Sequence, residues 1–314
     1  MRGIAAVMVF IGHLYSHLHP NHSLIGQWAV TVFIVLSGYC LMVPTEAAGG
    51  LRGGMRAFFV RRSRRILPAY YAALLLAVLL GYRDTTASAL AHLLLIQNWS
   101  RAWIYGYDGP MWSLATEWQI YFIFALVLVP VWKRYGRATT IFVALALSGL
   151  PYCFDWPVIA CPDFLFCFAL GMAATWMKSA RWQMPITGTL WALLTAVSQF
   201  FPVWSKNHVP MFDIIIAASA MLLLASMTQG GRVASLLSTK PLVAIGAFSY
   251  SLYLIHEPIN LRLVGVLPWY LIVVIVLVSA YIFSLAFEKP FLTSRAVSKK
   301  ASLSLEKEGS ASVT

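Results

Sequence analysis

Arg2 and His13 stand eleven residues apart in one apolar stretch. A helix with that spacing puts them about 20° apart around its axis and about 16 Å apart along it. One helix face would then carry a cation at a membrane edge and an imidazole deep inside. Ionisable side chains within a membrane are costly to hold there and read first as functional. His13 titrates near neutrality, so it can take a proton at physiological pH; the competing use is a hydrogen-bonded packing histidine. His17 follows one turn later, then His19 and His22. These three sit at the outer boundary with no cysteine or carboxylate close in sequence, so no metal is expected.

Glu117 is the carboxylate expected to support His13, fixing its tautomer and steadying the imidazolium. It lies in Met111-Trp112-Ser113-Leu114-Ala115-Thr116-Glu117, with Ser113 four residues earlier on the same face. The alternative for Glu117 is a solvated residue near a helix N-terminus. In Arg61-Arg62-Ser63-Arg64-Arg65, Arg62 and Arg65 share a face, and two guanidinium forks there suit a phosphorylated ligand. Plain membrane orientation and lipid headgroup contact compete with that reading. Ser249, Tyr253 and His256 also fall on one helical face, either for chemistry or for hydrogen-bonded packing. Ser113, Tyr250 or an arginine is available to stabilise an oxyanion. Asp163 and Asp213 are intramembrane or boundary carboxylates without an evident partner. Cys40, Cys153, Cys161 and Cys167 have no CxxC spacing and read as buried, unpaired thiols.

The elements that must position these residues follow from composition. A chain of 314 residues that is 60% hydrophobic and 11% charged is not a soluble globular protein. The fold class expected is all-α, a polytopic bundle of about ten transmembrane helices. The spans fall near 3–19, 24–43, 66–82, 113–132, 138–154, 160–177, 186–204, 211–228, 242–260 and 267–287, the fifth and sixth being open to a different split around Pro151, Asp155 and Pro157. With both termini cytoplasmic, all but Arg83, Arg101, Lys206 and Arg262 of the 23 Lys and Arg residues lie inside. The net charge of +12 is then mostly topology, and no nucleic-acid partner is expected. The first stretch has no cleavage site and is not a removable signal. Residues 44–65 read as a glycine-rich, then basic, cytoplasmic loop. Residues 83–112 read as an outer loop with a helical piece at 87–96 and a Trp/Tyr/Asn/Asp-rich segment that suits interfacial anchoring or stacking on a sugar. A membrane domain over 1–298 and a disordered tail over 299–314 complete the division.

Six segments in order resemble the acyltransferase-3 family of integral-membrane acyltransferases. They are Arg2 to His13, Val32-Phe-Ile-Val-Leu-Ser-Gly-Tyr39, Arg62-x-x-Arg65 with Pro68 and Tyr70, Trp112-Ser-Leu-Ala-Thr-Glu117, Ser249-Tyr-Ser-Leu-Tyr-Leu-Ile-His256, and Phe287-Glu-Lys-Pro-Phe291. The resemblance implies a bacterial inner-membrane protein of ten helices that moves an acyl group, usually acetyl, from cytoplasmic acetyl-CoA to a hydroxyl of an extracytoplasmic glycan. It implies that Arg62 and Arg65 engage coenzyme A phosphates, that Arg2 lies on the donor path, and that His13 and Glu117 are catalytic. Trp112, Ser113, Tyr250 and His256 are the expected substrate-side residues. Relatives usually carry some residues before the first arginine, whereas this chain starts almost on it, which leaves the true start open. Thr31 stands where many relatives have Asp, and the esterase-like domain fused to some of them is not expected here. Two other classes remain open: a transporter or flippase, which calls for repeat symmetry that this sequence lacks, and a sensor with a decayed site.

Overall fold

The computed structural model describes residues 1–19, 25–153, 160–201, 208–228 and 230–292, and all regular structure among them is helical. Helix α1 spans Arg2–Leu18 and α2 spans Ile25–Ala47. Only a short turn separates α2 from α3, Gly54–Leu79. Gly49, Gly50, Gly53 and Gly54 make that turn, with φ of 61°, 153°, 72° and 75°. These are conformations that side chains with a Cβ rarely adopt. The expected 44–65 loop is therefore mostly helix, and the basic run lies on α3. Once the glycines end, nothing from Met55 to Leu67 breaks a helix.

Thr85 caps α4, Thr86–Leu94, by accepting the Ser88 amide at 3.2 Å. Helix α5, Met111–Ile123, continues through a π turn at Phe124–Leu128 into α6, Val129–Gly149. Gly136 breaks this long run with φ 87° and ψ −175°, inside the basic segment expected to separate two spans. Then follow α7 (Asp163–Ala174), α8 (Gln183–Phe200), α9 (Val209–Met227), α10 (Arg232–Leu237) and α11 (Lys240–Ala247). Helix α12 (Ser249–Leu263) meets α11 at a 68° bend, so the stretch read as one span at 242–260 is broken at Phe248. Helix α13, Trp269–Phe283, runs on through a second π turn.

Among the described residues, four helical runs are long and apolar enough to cross a membrane: Gly26–Ala47, Met111–Cys153, Val209–Met227 and Trp269–Leu292. The bent pair α11–α12 makes a fifth if counted as one. Helix α13 buries Ile272, Val276 and Ala280 yet exposes Leu271, Val274, Val278 and Ile282. Apolar residues on both faces suit a helix with protein on one side and lipid on the other. Helices α2 and α7 cross at backbone contact. A Cβ at Gly38 would lie 2.0 Å from the Phe168 carbonyl oxygen, and one at Gly171 would lie 2.0 Å from that of Val35. Small residues at crossings give van der Waals contact where no hydrophobic force separates helix from lipid. Pro20–Leu24, 154–159, 202–207 and the tail lie outside the described residues, so the readings made on His22, Asp155, Pro157, Lys206 and residues 299–314 are not addressed by the structure.

Candidate functional site

Two cavities lie side by side in the bundle. The first is lined by Arg2 from α1, Ser37 from α2, Arg62 and Arg65 from α3, Ser113, Glu117 and Tyr121 from α5, and Ser249, Tyr250 and Tyr253 from α12. It holds about 670 Å³ of empty space including its mouth. The two ion pairs formed among the described residues are His17–Glu257 and Arg137–Glu46, so the guanidiniums of Arg2, Arg62 and Arg65 have no carboxylate bound to them. Arg62 instead lies over the rings of Phe58 and Tyr121, 5.9 and 5.7 Å from their centroids, and its buried Nε makes no hydrogen bond. Glu117 receives the hydroxyls of Ser37 and, at 2.6 Å, Tyr121 on the same oxygen, Oε1. The Tyr250 hydroxyl donates to the Ile66 carbonyl at 3.0 Å, tying α12 to α3 one residue beyond Arg65. Three cations lining one cavity beside a hydroxyl-bound carboxylate have the charge to suit an anion.

The second cavity is lined by His13, Ser16, Gln27, Tyr105, Pro110, Trp112 and Glu257, with about 1150 Å³ of space open to its surroundings. His256 lies fully buried behind His13, with the rings nearly parallel at 6°. His256 Nδ1 is 2.8 Å from the Tyr253 carbonyl and 3.1 Å from that of Leu252. Carbonyls only accept, so this nitrogen carries the proton. With that proton on Nδ1, the neutral form of the ring presents Nε2 as an acceptor. His13 Nδ1, 2.8 Å away, must then donate to it. That leaves His13 Nε2 bare of a proton, next to Gly26, where a Cβ would sit 3.6 Å from it. The carboxylate that stands beside His13 is Glu257; Glu117 lies on the first cavity. One oxygen of Glu257 bonds His17 Nε2 at 2.8 Å, and its ligand atom lies within 4.8 Å of those of His13 and His256.

A wall of polar groups separates the cavities. The Tyr253 hydroxyl donates to the Pro110 carbonyl at 2.6 Å, and the Ser113 hydroxyl meets Tyr253 at 2.6 Å. Pro110 faces the second cavity, whereas Ser113 and Tyr253 face the first. Gln97 and Asn98 of the polar loop are consumed structurally, donating to the Met111 carbonyl at 3.0 Å and to Thr116 at 2.9 Å. Tyr105 and Trp112 are the aromatics that remain on the cavity. Asp213 receives Thr31 and, at 2.9 Å, Gln27, so the position lacking its usual Asp meets a carboxylate supplied by α9. The Tyr152 hydroxyl donates to Asp163 at 3.2 Å. Among the described residues no disulfide forms; Cys167 is buried, but Cys161 is half-buried and Cys40 and Cys153 are exposed.

The structure thus gathers Arg2, Arg62, Arg65, Ser113, Glu117 and Tyr250 in one chamber and His13 and Trp112 in the next, with His256 behind His13. Sequence reasoning missed Glu257, although it adjoins His256 in the chain. Its carboxylate reaches His17 across a separation of 240 residues, which no local spacing encodes.

The same segments carry the similarity to known proteins. The family described as an acyltransferase domain (Acyl_transf_3) matches residues 1–289. Peptidoglycan O-acetyltransferase OatA of Listeria monocytogenes is 25% identical, covering 82% of this chain and 48% of its own length. Nodulation protein 10 of Rhizobium leguminosarum is 24% identical over 87% of this chain and 90% of its own. Acyltransferase MdmB of Streptomyces mycarofaciens is 28% identical over 82% and 76%. The chain spans about half the length of the OatA protein. No solved structure matches it. A match that runs unbroken through the helices of both cavities makes this chain a member of the acyltransferase-3 family.

Proposed function

We propose that the chain is a membrane O-acyltransferase that moves an acyl group, acetyl in the simplest case, from acyl-CoA to a hydroxyl of a glycan. The donor enters the arginine chamber from the cytoplasm, its phosphates held by Arg62 and Arg65 and its path passing Arg2. The acceptor enters the histidine cavity from the other face of the bacterial inner membrane, stacked on Tyr105 and Trp112. Ten crossings with both termini cytoplasmic give the topology, because that arrangement keeps all but four of the 23 basic residues inside.

In the reaction, His13 Nε2 takes the proton of the acceptor hydroxyl as its oxygen attacks the thioester carbonyl. The C–O bond forms, the C–S bond breaks, and coenzyme A leaves as a thiolate that is reprotonated in the chamber. The positive charge gained by His13 is spread through its Nδ1–H to His256 and faced by Glu257. Ser113 and Tyr253 donate to the developing oxyanion once the thioester carbonyl takes the place of Pro110 at the wall. Relatives named as O-acetyltransferases favour acetyl and glycan.

The observation that carries this reading is the His13–His256 pair on one cavity, oriented from behind by the Tyr253 carbonyl and one hydroxyl wall away from three guanidiniums without carboxylate partners. The test is acyl transfer from labelled acyl-CoA in membranes, with mass spectrometry of surface glycans as the product readout. His13→Ala is expected to lose about 100- to 10,000-fold in rate, the usual contribution of a general base. Full transfer by that variant overturns the assignment.

A further inference from the structure

The side chains around His13 also have the composition of a zinc site. His13, His256 and Glu257 each offer one ligand atom, and these atoms lie within 4.8 Å of one another. Glu257 is about nine-tenths buried; its Oε1 is held by His17, while its Oε2 is buried with no hydrogen-bond partner. An unpartnered carboxylate oxygen beside two imidazoles is costly unless something cationic meets it. Behind the ligand nitrogen of His256, the other ring nitrogen donates to the Tyr253 carbonyl at 2.8 Å. Behind the ligand oxygens of Glu257 stands His17. Metal-binding histidines are oriented by such outer partners. The ligand nitrogens are 2.8 Å apart across their shared proton. Tetrahedral zinc at about 2.0–2.1 Å from each nitrogen needs about 3.3 Å between them, so each ring must give a few tenths of an ångström and turn by roughly 35° to aim its lone pair at the ion instead of at its neighbour. The second cavity opens directly onto His13 and Glu257, which gives the ion an entry.

We propose that Zn²⁺ binds His13 Nδ1, His256 Nε2 and Glu257, with water in a fourth position, and switches acyl transfer off. The switch is tautomeric. Zinc displaces the proton from His13 Nδ1, and the neutral ring then carries its proton on Nε2. The nitrogen facing the acceptor becomes a donor and no longer takes a proton. The binding half of this proposal stands on geometry alone; the inhibition half rests on the acyl-transfer reading.

The purified full chain, free of any polyhistidine tag, is titrated with ZnCl2 in detergent and read by calorimetry and metal analysis. One zinc per chain at micromolar affinity is expected, weakened at least tenfold in Glu257→Gln and in His256→Ala and unchanged in His19→Ala. Zinc-edge X-ray absorption on the unaltered chain should show two imidazole nitrogens in the first shell, a readout that survives a misfolded variant. Micromolar zinc should stop transfer in membranes and EDTA should restore it. A shell with fewer than two imidazoles, or equal binding by His256→Ala, overturns the site. Zinc bound as described, in a chain that transfers nothing even with EDTA, would count against the acyltransferase reading and not against the metal site.

Discussion

Asp108 is a buried carboxyl whose side chain finds no hydrogen-bond partner among the described residues. It lies in the loop that leads to Pro110 and is 3% exposed. Burial pushes its pKa well above the usual carboxylate range, and the nearby Glu257 charge pushes the same way. The folded chain therefore keeps a proton there over a range of pH in which the unfolded chain has given it up. The stability contributed by this proton is fully present below about pH 4, the unfolded value, and falls as pH rises toward the higher folded value. Asp108→Asn removes that dependence. It should raise the unfolding temperature at pH 7 and change it little near pH 4, measured by thermal unfolding in detergent across that range. A variant equally destabilised at both pH values would mean that the carboxyl makes a bond the native loop needs. Gly26 bears on the neighbouring base in a different way. A methyl there would rest 3.6 Å from His13 Nε2, an ordinary contact, so Gly26→Ala should fold normally and transfer more slowly because the nitrogen is covered.

Helix crossings, rather than individual contacts, set where these groups stand. At the α2–α7 crossing, Gly38 and Gly171 let backbones touch, and Ser37, which bonds Glu117, sits one residue from the contact point. Gly38→Ala must push the two helices apart, at a cost of about 1–3 kcal/mol typical of overpacking. It should lower the unfolding temperature and also impair the arginine chamber, because Ser37 moves with its helix; the paired measurements are melting and acyl-CoA affinity. Loss of stability with unchanged affinity would uncouple the crossing from the chamber. The glycines at this crossing belong to an apolar pattern that reads as helix in any sequence, but only the packed structure says which helix they meet. The same limit governs α1, which was legible with its Arg2 and His13, while the side to which each group turned was not. Helix α3 begins earlier than its hydropathy allows, since five arginines hide a helix from a composition argument. Glu257 escaped notice because a carboxylate next to a proline near a helix end looks like a boundary residue until α1 is laid against it. Conversely, Glu117 does face the bundle interior, half-buried on the first cavity, but it does not stand beside His13, because sequence order carries no depth.

At the scale of the whole molecule, the helices hardest to recognise as membrane spans are those with the most chemistry on them. Helix α1 carries Arg2, His13 and His17, α3 carries the arginines, and α12 carries His256 and Glu257 on the far side of a bend. The long apolar runs, α2, α5–α6, α9 and α13, supply the frame. A polar interior inside an apolar frame is the arrangement expected when two water-soluble reactants must meet within the membrane thickness. Two separate cavities imply two separable affinities. If the proposed donor site is right, Arg65→Ala takes a guanidinium from it, where a charged hydrogen bond is worth about 1.5–3 kcal/mol, so KM for acyl-CoA should rise about 10- to 100-fold while KM for the acceptor holds. Tyr105→Ala removes an exposed ring from the acceptor cavity and should do the reverse. Steady-state kinetics with both substrates varied distinguishes these outcomes. If both variants raise both constants, the hydroxyl wall of Ser113, Tyr253 and Pro110 does not divide the substrates, and donor and acceptor share a single chamber.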